Sequence, residues 1–321
     1  MDNISEVLKS LRERQSFVSG DHISAKLKVS RTAVWKYMNQ LERCGYVISK
    51  AKGKGYMLVS TPDKLYSWEI DRYRDTSIIG QKIIYKENVD STNTLAFKLA
   101  MAGEVEGACV IAESQERGKG RLGRRWCSTT GRNIYLSVIV RPRVHPSQVY
   151  PITFLSSLAA FDTVYALTSI TPTLKWPNDV LLSGRKVCGT LLELSTEADM
   201  VRFVVIGIGL NVNMREDELD AEIREKAGSL SMATKKVFER ASVCGMLLSN
   251  LEKYYLRFRE QGAEKMCRLW EERAGIKGKY LEITQMGETH KGVARGVDKD
   301  GAILLDIDGI TKKIIAGDVS Y

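Results

Sequence analysis

Apolar residues at 4–14 recur at helical spacing, with Ile4, Val7, Leu8 and Leu11 on one face, and predict an amphipathic helix. Ser19-Gly20 breaks it, and residues 22–27 read as a short second helix. Ser30 can cap a third, over 31–43, whose buried side carries Val34, Met38 and Leu41. That arrangement turns Arg31, Thr32, Trp35, Lys36 and Asn39 outward. The period then drops to two. Residues 45–49 and 55–59 alternate as strands, with Lys50, Lys52 and Lys54 on the hairpin between them. Three helices and a basic hairpin predict a winged helix-turn-helix that binds DNA. A protein-interaction winged helix with a solvated charged face is the alternative.

Beyond Thr61-Pro62-Asp63 the pattern changes, and a connector runs to residue 80. Strands are predicted at 81–86, 108–113, 133–140, 173–177, 186–194 and 201–213, with apolar helices at 91–102 and 146–167. Ser91 caps the first of these, placing Thr92 and Asn93 at its N-terminus, where free N–H groups face a ligand. The charged stretch 214–230 fits a lid or surface loop. Amphipathic helices follow at 238–258 and 263–273. Four short strands with Asp/Gly turns then predict a small β-barrel. The expected fold is α+β in three domains: 1–62, a winged helix; 63–273, a mixed sheet with helices on one face; and 274–321, the barrel.

Chemistry concentrates in residues 118–126, Gly-Lys-Gly-Arg-Leu-Gly-Arg-Arg-Trp. Gly118, Gly120 and Gly123 free the backbone, and Lys119, Arg121, Arg124 and Arg125 suit phosphate. A solvated basic turn has the same composition. The G-x-G-x-x-G spacing is not a dinucleotide fingerprint here, because a strand and not a helix follows it, and no Walker P-loop is present.

The net charge of +9 is unevenly spread. Residues 1–60 hold eleven Lys/Arg against five Asp/Glu, a net +6, which points to an acidic polymer as partner of that end. Six scattered cysteines without C-x-x-C spacing read as reduced thiols, not as a disulfide set or zinc site. The longest apolar run, 203–210, is short and broken by glycine, and the start shows no secretion signal, so a cytoplasmic protein without a membrane partner is expected. His22, His145 and His290 lie beside no motif, leaving no Ser/His or Cys/His set.

The loop has companions: Asp90-Ser-Thr-Asn93, Lys175-Trp-Pro-Asn-Asp179, Gly184-Arg-Lys-Val-Cys-Gly-Thr-Leu-Leu-Glu193 and Gly207-Ile-Gly-Leu-Asn-Val-Asn213. With these in this order, the whole chain resembles the bacterial bifunctional biotin protein ligases, which are also biotin operon repressors. The resemblance implies an SH3-like tail and an ATP- and Mg2+-dependent adenylation of biotin, with transfer to a biotin carboxyl carrier protein. It also implies a homodimer that binds operator DNA when loaded with adenylate. Carried over, Ser91, Thr92 and Gln115, with backbone near Gly118 and Lys119, hold the ureido ring, and Asn93 is a further ligand-binding residue. Lys186 bridges carboxylate and α-phosphate, while Gly120, Arg121 and Arg124 hold phosphate. Asn178 and Asp179 position magnesium and phosphates. Gly189, Gly207 and Gly209 permit close approach, and Asn211 reads adenine. Trp126 packs on the intermediate or fills the core. Arg31, Thr32, Trp35, Lys36, Asn39, Lys50, Lys52 and Lys54 contact DNA. The family usually has arginine where Lys119 stands. Two other readings compete. A lipoate ligase shares the catalytic fold but lacks a winged-helix head, and a ligand-sensing repressor with a dead catalytic domain would not keep Lys186, Arg121, Arg124 and Asp179.

Overall fold

In the computed structural model, residues 3–14, 16–285 and 287–320 are described. Helices α1 (Asn3–Arg12), α2 (Gly20–Leu27) and α3 (Arg31–Arg43) enclose Val7, Leu8, Leu11, Ile23, Val34, Met38 and Leu41. Ser19 Oγ accepts from His22 N at 3.1 Å and Ser30 Oγ from Ala33 N at 3.2 Å, so both recognition-motif helices start on side-chain caps. Strands β1 (Val47–Ala51) and β2 (Gly55–Ser60) pair antiparallel as the wing. The first strand begins two residues later than its pattern predicts. Gly45 N and Tyr46 N still bond the last carbonyls of α3, so the chain is closing a helix there.

The connector is structured where no element was anticipated. Helix α4 (Ser67–Ile70) presents Glu69, only 3% exposed, to the head. Glu69 accepts from Arg12 Nη2 at 2.6 and 2.8 Å, from Arg72 Nη1 at 2.9 Å and from the Tyr46 hydroxyl, while Trp68 Nε1 donates to that hydroxyl at 2.7 Å. A four-residue helix carries too little periodicity to stand out in sequence.

The central sheet has seven strands in the order β3-β4-β5-β9-β8-β7-β6. They are β3 (Ile83–Val89), β4 (Cys109–Gln115), β5 (Ile134–Val140), β6 (Thr173–Lys175), β7 (Asp179–Leu182), β8 (Arg185–Glu197) and β9 (Met200–Leu210). Only β3 and β4 run parallel, joined by α5 (Thr92–Met101). Residues alternate between faces along each strand. Leu136, Val138, Val204 and Ile206 pack under α6 (Pro151–Thr168) and α8 (Arg240–Ala274), with α7 (Leu230–Thr234) between them in sequence. Val110, Ile139, Phe203 and Val205 face the other way and are covered by α5. The two C-terminal helices expected separately abut as α8, broken only at Gly262 (φ 78, ψ 177), a conformation that favours glycine. No helix of the described residues is long and apolar enough to cross a membrane.

The tail has five strands where four were expected: β10 (Tyr280–Gln285), β11 (Glu288–Val297), β12 (Ile303–Ile307), β13 (Ile310–Ile314) and β14 (Asp318–Ser320). Their order, β13-β12-β11-β10-β14, leaves an open sheet among the described residues, not a closed barrel. It docks where Trp176 Nε1 donates to Gly301 O at 3.1 Å.

Two buried charge clusters hold the connector. Arg240, 0% exposed, pairs with the equally buried Glu113 at 2.8 Å and with Asp63 at 3.0 Å, and donates to Asn133 O at 3.2 Å. Arg240→Met leaves the Glu113 carboxylate uncompensated and should cost about 3–5 kcal/mol in urea denaturation; a loss under about 1 kcal/mol would show the pair to be dispensable. Glu69 supplies a pH test. Burial alone would raise its carboxyl, but bonds from Tyr46 and Arg12 outweigh it and hold it below the usual carboxylate range. Its folded pKa therefore lies under the unfolded value of about 4.3, so its stabilisation is full above that value and fades as pH falls through the folded one. Glu69→Gln should flatten this acid limb of the stability profile, and an unchanged limb would refute the assignment.

Candidate active site

The cleft opens where the N-terminus of α5, the glycine loop and the β7–β8 region meet, beside the glycines of β8 and β9. One wall is neutral and polar. Ser91, Thr92 and Asn93 are all at most 4% exposed. Thr92 donates from its backbone N at 2.9 Å and its hydroxyl at 3.1 Å to Gln115 Oε1, and Gln115 Nε2 donates to Ser128 Oγ at 3.2 Å. The Ser137 hydroxyl lies 2.8 Å from Thr92 Oγ1 and 2.6 Å from Asn93 Oδ1. Ser91 sits at the N-cap position with φ −155 and ψ 136, but its hydroxyl does not cap. It lines the cleft, buried and without a partner among the described residues. A buried orphan hydroxyl is costly unless a ligand satisfies it.

The floor is bare backbone under an indole. Gly189 on β8 pairs directly with Gly209 on β9. A Cβ at Gly209 would stand 2.4 Å from Trp126 Cε2, and one at Gly189 2.8 Å from Trp126 Cζ3, so the ring rests on both strands. Gly207 similarly makes room for Asn93, whose Oδ1 would meet a Cβ there at 2.1 Å. Trp126 Nε1 is buried and unpartnered among the described residues.

The opposite wall is charged. Lys186 Nζ lies 2.7 Å from Asp179 Oδ1 and 5.4 Å from the Trp126 ring centre. Arg121 Nη1 donates to Asn178 Oδ1 at 3.1 Å, and Asn178 Nδ2 to Thr190 O at 2.7 Å. The glycine loop is a short hairpin: Gly120 N donates to Arg124 O at 2.7 Å and Trp126 N to Gly118 O at 2.8 Å. Two of its four cations are already paired with carboxylates. Lys119 meets Glu193 at 2.9 Å, and Arg124 forms a two-pronged pair with Asp318 of β14, which raises the Arg124 pKa. Among the described residues no group of three or more His, Cys, Asp or Glu side chains gathers to hold a metal ion.

Most of the residues expected from sequence thus share one cleft. Asn211 does not line it. Its Nδ2 donates to Gly228 O at 2.9 Å and fastens the 214–230 segment to the sheet, a task the sequence did not announce. That segment is anchored further by Lys186 N bonding Lys226 O at 2.7 Å and Gly228 N bonding Lys186 O at 2.9 Å. Ser137, Thr190 and Asp318 were missed. Ser137 could have been found as the one serine in the apolar run of β5; Asp318, at the far end of the chain, gave no signal. On the head, Arg31, Thr32, Trp35 and Lys36 are exposed and Asn39 is half-buried. Trp35 is 53% exposed, which its size makes conspicuous. Arg31 pairs with Asp21 and Lys50 with Glu42 at 2.8 Å, while Lys52 and Lys54 stand exposed on the wing.

A neutral hydrogen-bonding wall facing a cationic wall across one cleft is consistent with a ligase site. The chain agrees in sequence with that class. Residues 85–211 match the model of the biotin/lipoate A/B protein ligase family, 3–57 that of an HTH domain and 282–321 that of the biotin protein ligase C terminal domain. It is 37% identical to the bifunctional ligase/repressor BirA of Bacillus spizizenii over 94% of this chain and 93% of that one. With BirA of Escherichia coli it shares 30% over 98% of this chain and 95% of that one. Its fold is similar to a biotin protein ligase from Aquifex aeolicus in complex with biotin and ATP, with a TM-score of 0.63 and 28% identity, covering 75% of this chain and 98% of the other. The chain belongs to the family of bifunctional biotin ligase/repressors.

Gly209→Ala should push the indole off the strands, at an overpacking cost of about 1–3 kcal/mol. Tryptophan emission and thermal unfolding report both effects. Unchanged emission with unchanged stability would mean the ring does not rest there.

Proposed function

We propose that this chain activates biotin with MgATP and passes it to a lysine of a biotin carboxyl carrier domain, and that its adenylate-bound form represses biotin genes. The observation that carries the reading is the unpartnered, buried Ser91 hydroxyl in a neutral hydrogen-bonding wall, across one cleft from Lys186, Asp179 and Arg121. A urea needs both donors and acceptors, which the hydroxyls of Ser91 and Thr92 and the Gln115 amide can supply. A dithiolane ring such as lipoate's would leave them unsatisfied, which disfavours that substrate.

The chemistry follows from the charged wall. A carboxylate oxygen of biotin attacks the α-phosphorus of ATP, the bond to the bridging oxygen breaks and pyrophosphate leaves. Charge builds on the α-phosphate oxygens, and Lys186, held in place by Asp179, is a compact cation suited to neutralise it. Magnesium arrives with ATP and keeps most of its waters, with Asn178 and Asp179 as the residues that would position it. The acceptor lysine, as free amine, then attacks the acyl carbon; AMP departs and the amine loses a proton. No nucleophile–base pair of the protein is needed for either step, since positioning and charge do the chemistry. ATP, carrier and genes meet in the cytoplasm, where we place the protein.

Three outcomes test the reading. Lys186→Ala should slow biotin-dependent pyrophosphate release on the order of 10²–10³-fold while biotin still binds; near-normal turnover removes Lys186 from the site. Neutralising Arg121 and Arg124 together should loosen the loop over the product more than it slows formation, so free adenylate escapes and labels lysines of bystander proteins. If bystander labelling equals wild type, the loop does not retain the product. For the head, operator DNA of the biotin genes should bind more tightly with biotin plus MgATP than without. Loading would favour a homodimer that places two α3 helices on two half-sites, with Lys36, Lys50, Lys52 and Lys54 on phosphates and Trp35 or Asn39 near bases. Affinity should fall steeply with salt. Equal anisotropy curves in the two states would remove the switch.

A further inference from the structure

A second cleft of about 760 Å3 lies between the end of β5, the start of β9 and α8 at its Gly262 break, and shares no lining residue with the first. Four arginines are among its lining residues, Arg141, Arg143, Arg202 and Arg259. Among the described residues none of the four forms an ion pair. Arg141 donates only to backbone, to Ala100 O at 3.2 Å, Glu104 O at 2.8 Å and Arg202 O at 3.4 Å. Arg202 reaches nothing better than Met101 Sδ at 4.0 Å, and Arg259 lies over the Tyr255 ring at 5.9 Å. The single carboxylate there, Glu106, accepts through Oε1 from Tyr255 OH at 2.5 Å and Arg141 N at 2.9 Å, and forms no ion pair with any of the four arginines among the described residues.

The contrast with the first cleft is informative. There Lys119, Arg124 and Lys186 each have a carboxylate, while Arg121 and Arg125 bond only neutral acceptors. Here like charges crowd a recess that focuses their field, an arrangement that repels itself until an anion enters. We propose that this cleft is a second binding site, for compact polyphosphate anions. Guanidinium forks match phosphate oxygens in pairs, which favours phosphate chains over single carboxylates. The recess also argues against duplex DNA, which presents its phosphates on a convex surface.

The test is calorimetric titration of the full chain with inorganic tripolyphosphate and, separately, with ATP. Wild type should bind tripolyphosphate at this cleft, and Arg143→Glu with Arg202→Glu should weaken that binding at least about tenfold, since each contact to a charged group is worth about that much. The neutral pair Arg143→Gln with Arg202→Gln should lose less, which guards against a folding defect. Biotin-dependent pyrophosphate release should stay at the wild-type rate in both. A control with Arg121→Ala and Lys186→Ala should keep the tripolyphosphate signal. Comparing the two probes in the Arg121→Ala, Lys186→Ala background identifies the source: equal affinity means the phosphate chain alone is read, and tighter ATP means a nucleotide. The proposal is overturned if tripolyphosphate gives no binding heat, if the glutamate variant binds as wild type does, or if only the Arg121/Lys186 control loses the signal. Loss of operator affinity in the glutamate variant without any tripolyphosphate binding would overturn it in favour of a DNA flank.

Discussion

Where Gly189 faces Gly209 the central sheet has no side chains, and the ligand site depends on that gap. Any Cβ there would collide with Trp126, at 2.8 Å from one glycine and 2.4 Å from the other. With the indole down on the strands, the glycine hairpin that carries it closes over the sheet, and Arg121 comes within reach of Asn178. Lys186, three residues before Gly189, stands beside the same ring and against Asp179. The placement of the indole beside the charged wall thus depends on two missing methyl groups.

The remaining architecture is arranged around this end of the sheet. Glu113 and Gln115 both lie on β4: one pairs with Arg240 and the connector, the other bonds Thr92 in the ligand wall. From the connector, α4 passes to the head through Glu69, Tyr46 and Arg12. At the far side, β14 supplies Asp318 to Arg124. The tail is therefore one ion pair away from the site, and the head two buried clusters away. Such buried clusters cost desolvation, and their benefit is to hold one arrangement of parts.

Much of this was legible in the sequence because it rests on short-range rules. Helical spacing with a break at Ser19-Gly20 and Ser30 at a helix start gave the head, and period-two runs gave the strands of the sheet. The glycine loop stood out by type and spacing, while the role of Lys186 was read only through the family resemblance. What escaped depends on contacts between distant residues. Asp318 reaches Arg124 across 194 positions, and no local pattern marks it. Asn211 has the right chemistry for a base edge, yet Gly228 O claims its amide. Ser91 occupies a capping position, but the cleft and not the helix receives its hydroxyl. The α4 helix was too short to show a period, and the fifth tail strand too short to separate from its turn.

The central claim is that one cleft reads a neutral ureido ring and activates the attached carboxylate. The most direct test mixes the full-length protein with biotin and MgATP in the absence of any acceptor, and follows pyrophosphate alongside native mass spectrometry. The account predicts one pyrophosphate per chain and one retained biotinyl-adenylate, with lipoate giving neither. Release of no pyrophosphate, or equal activation of lipoate, would contradict it.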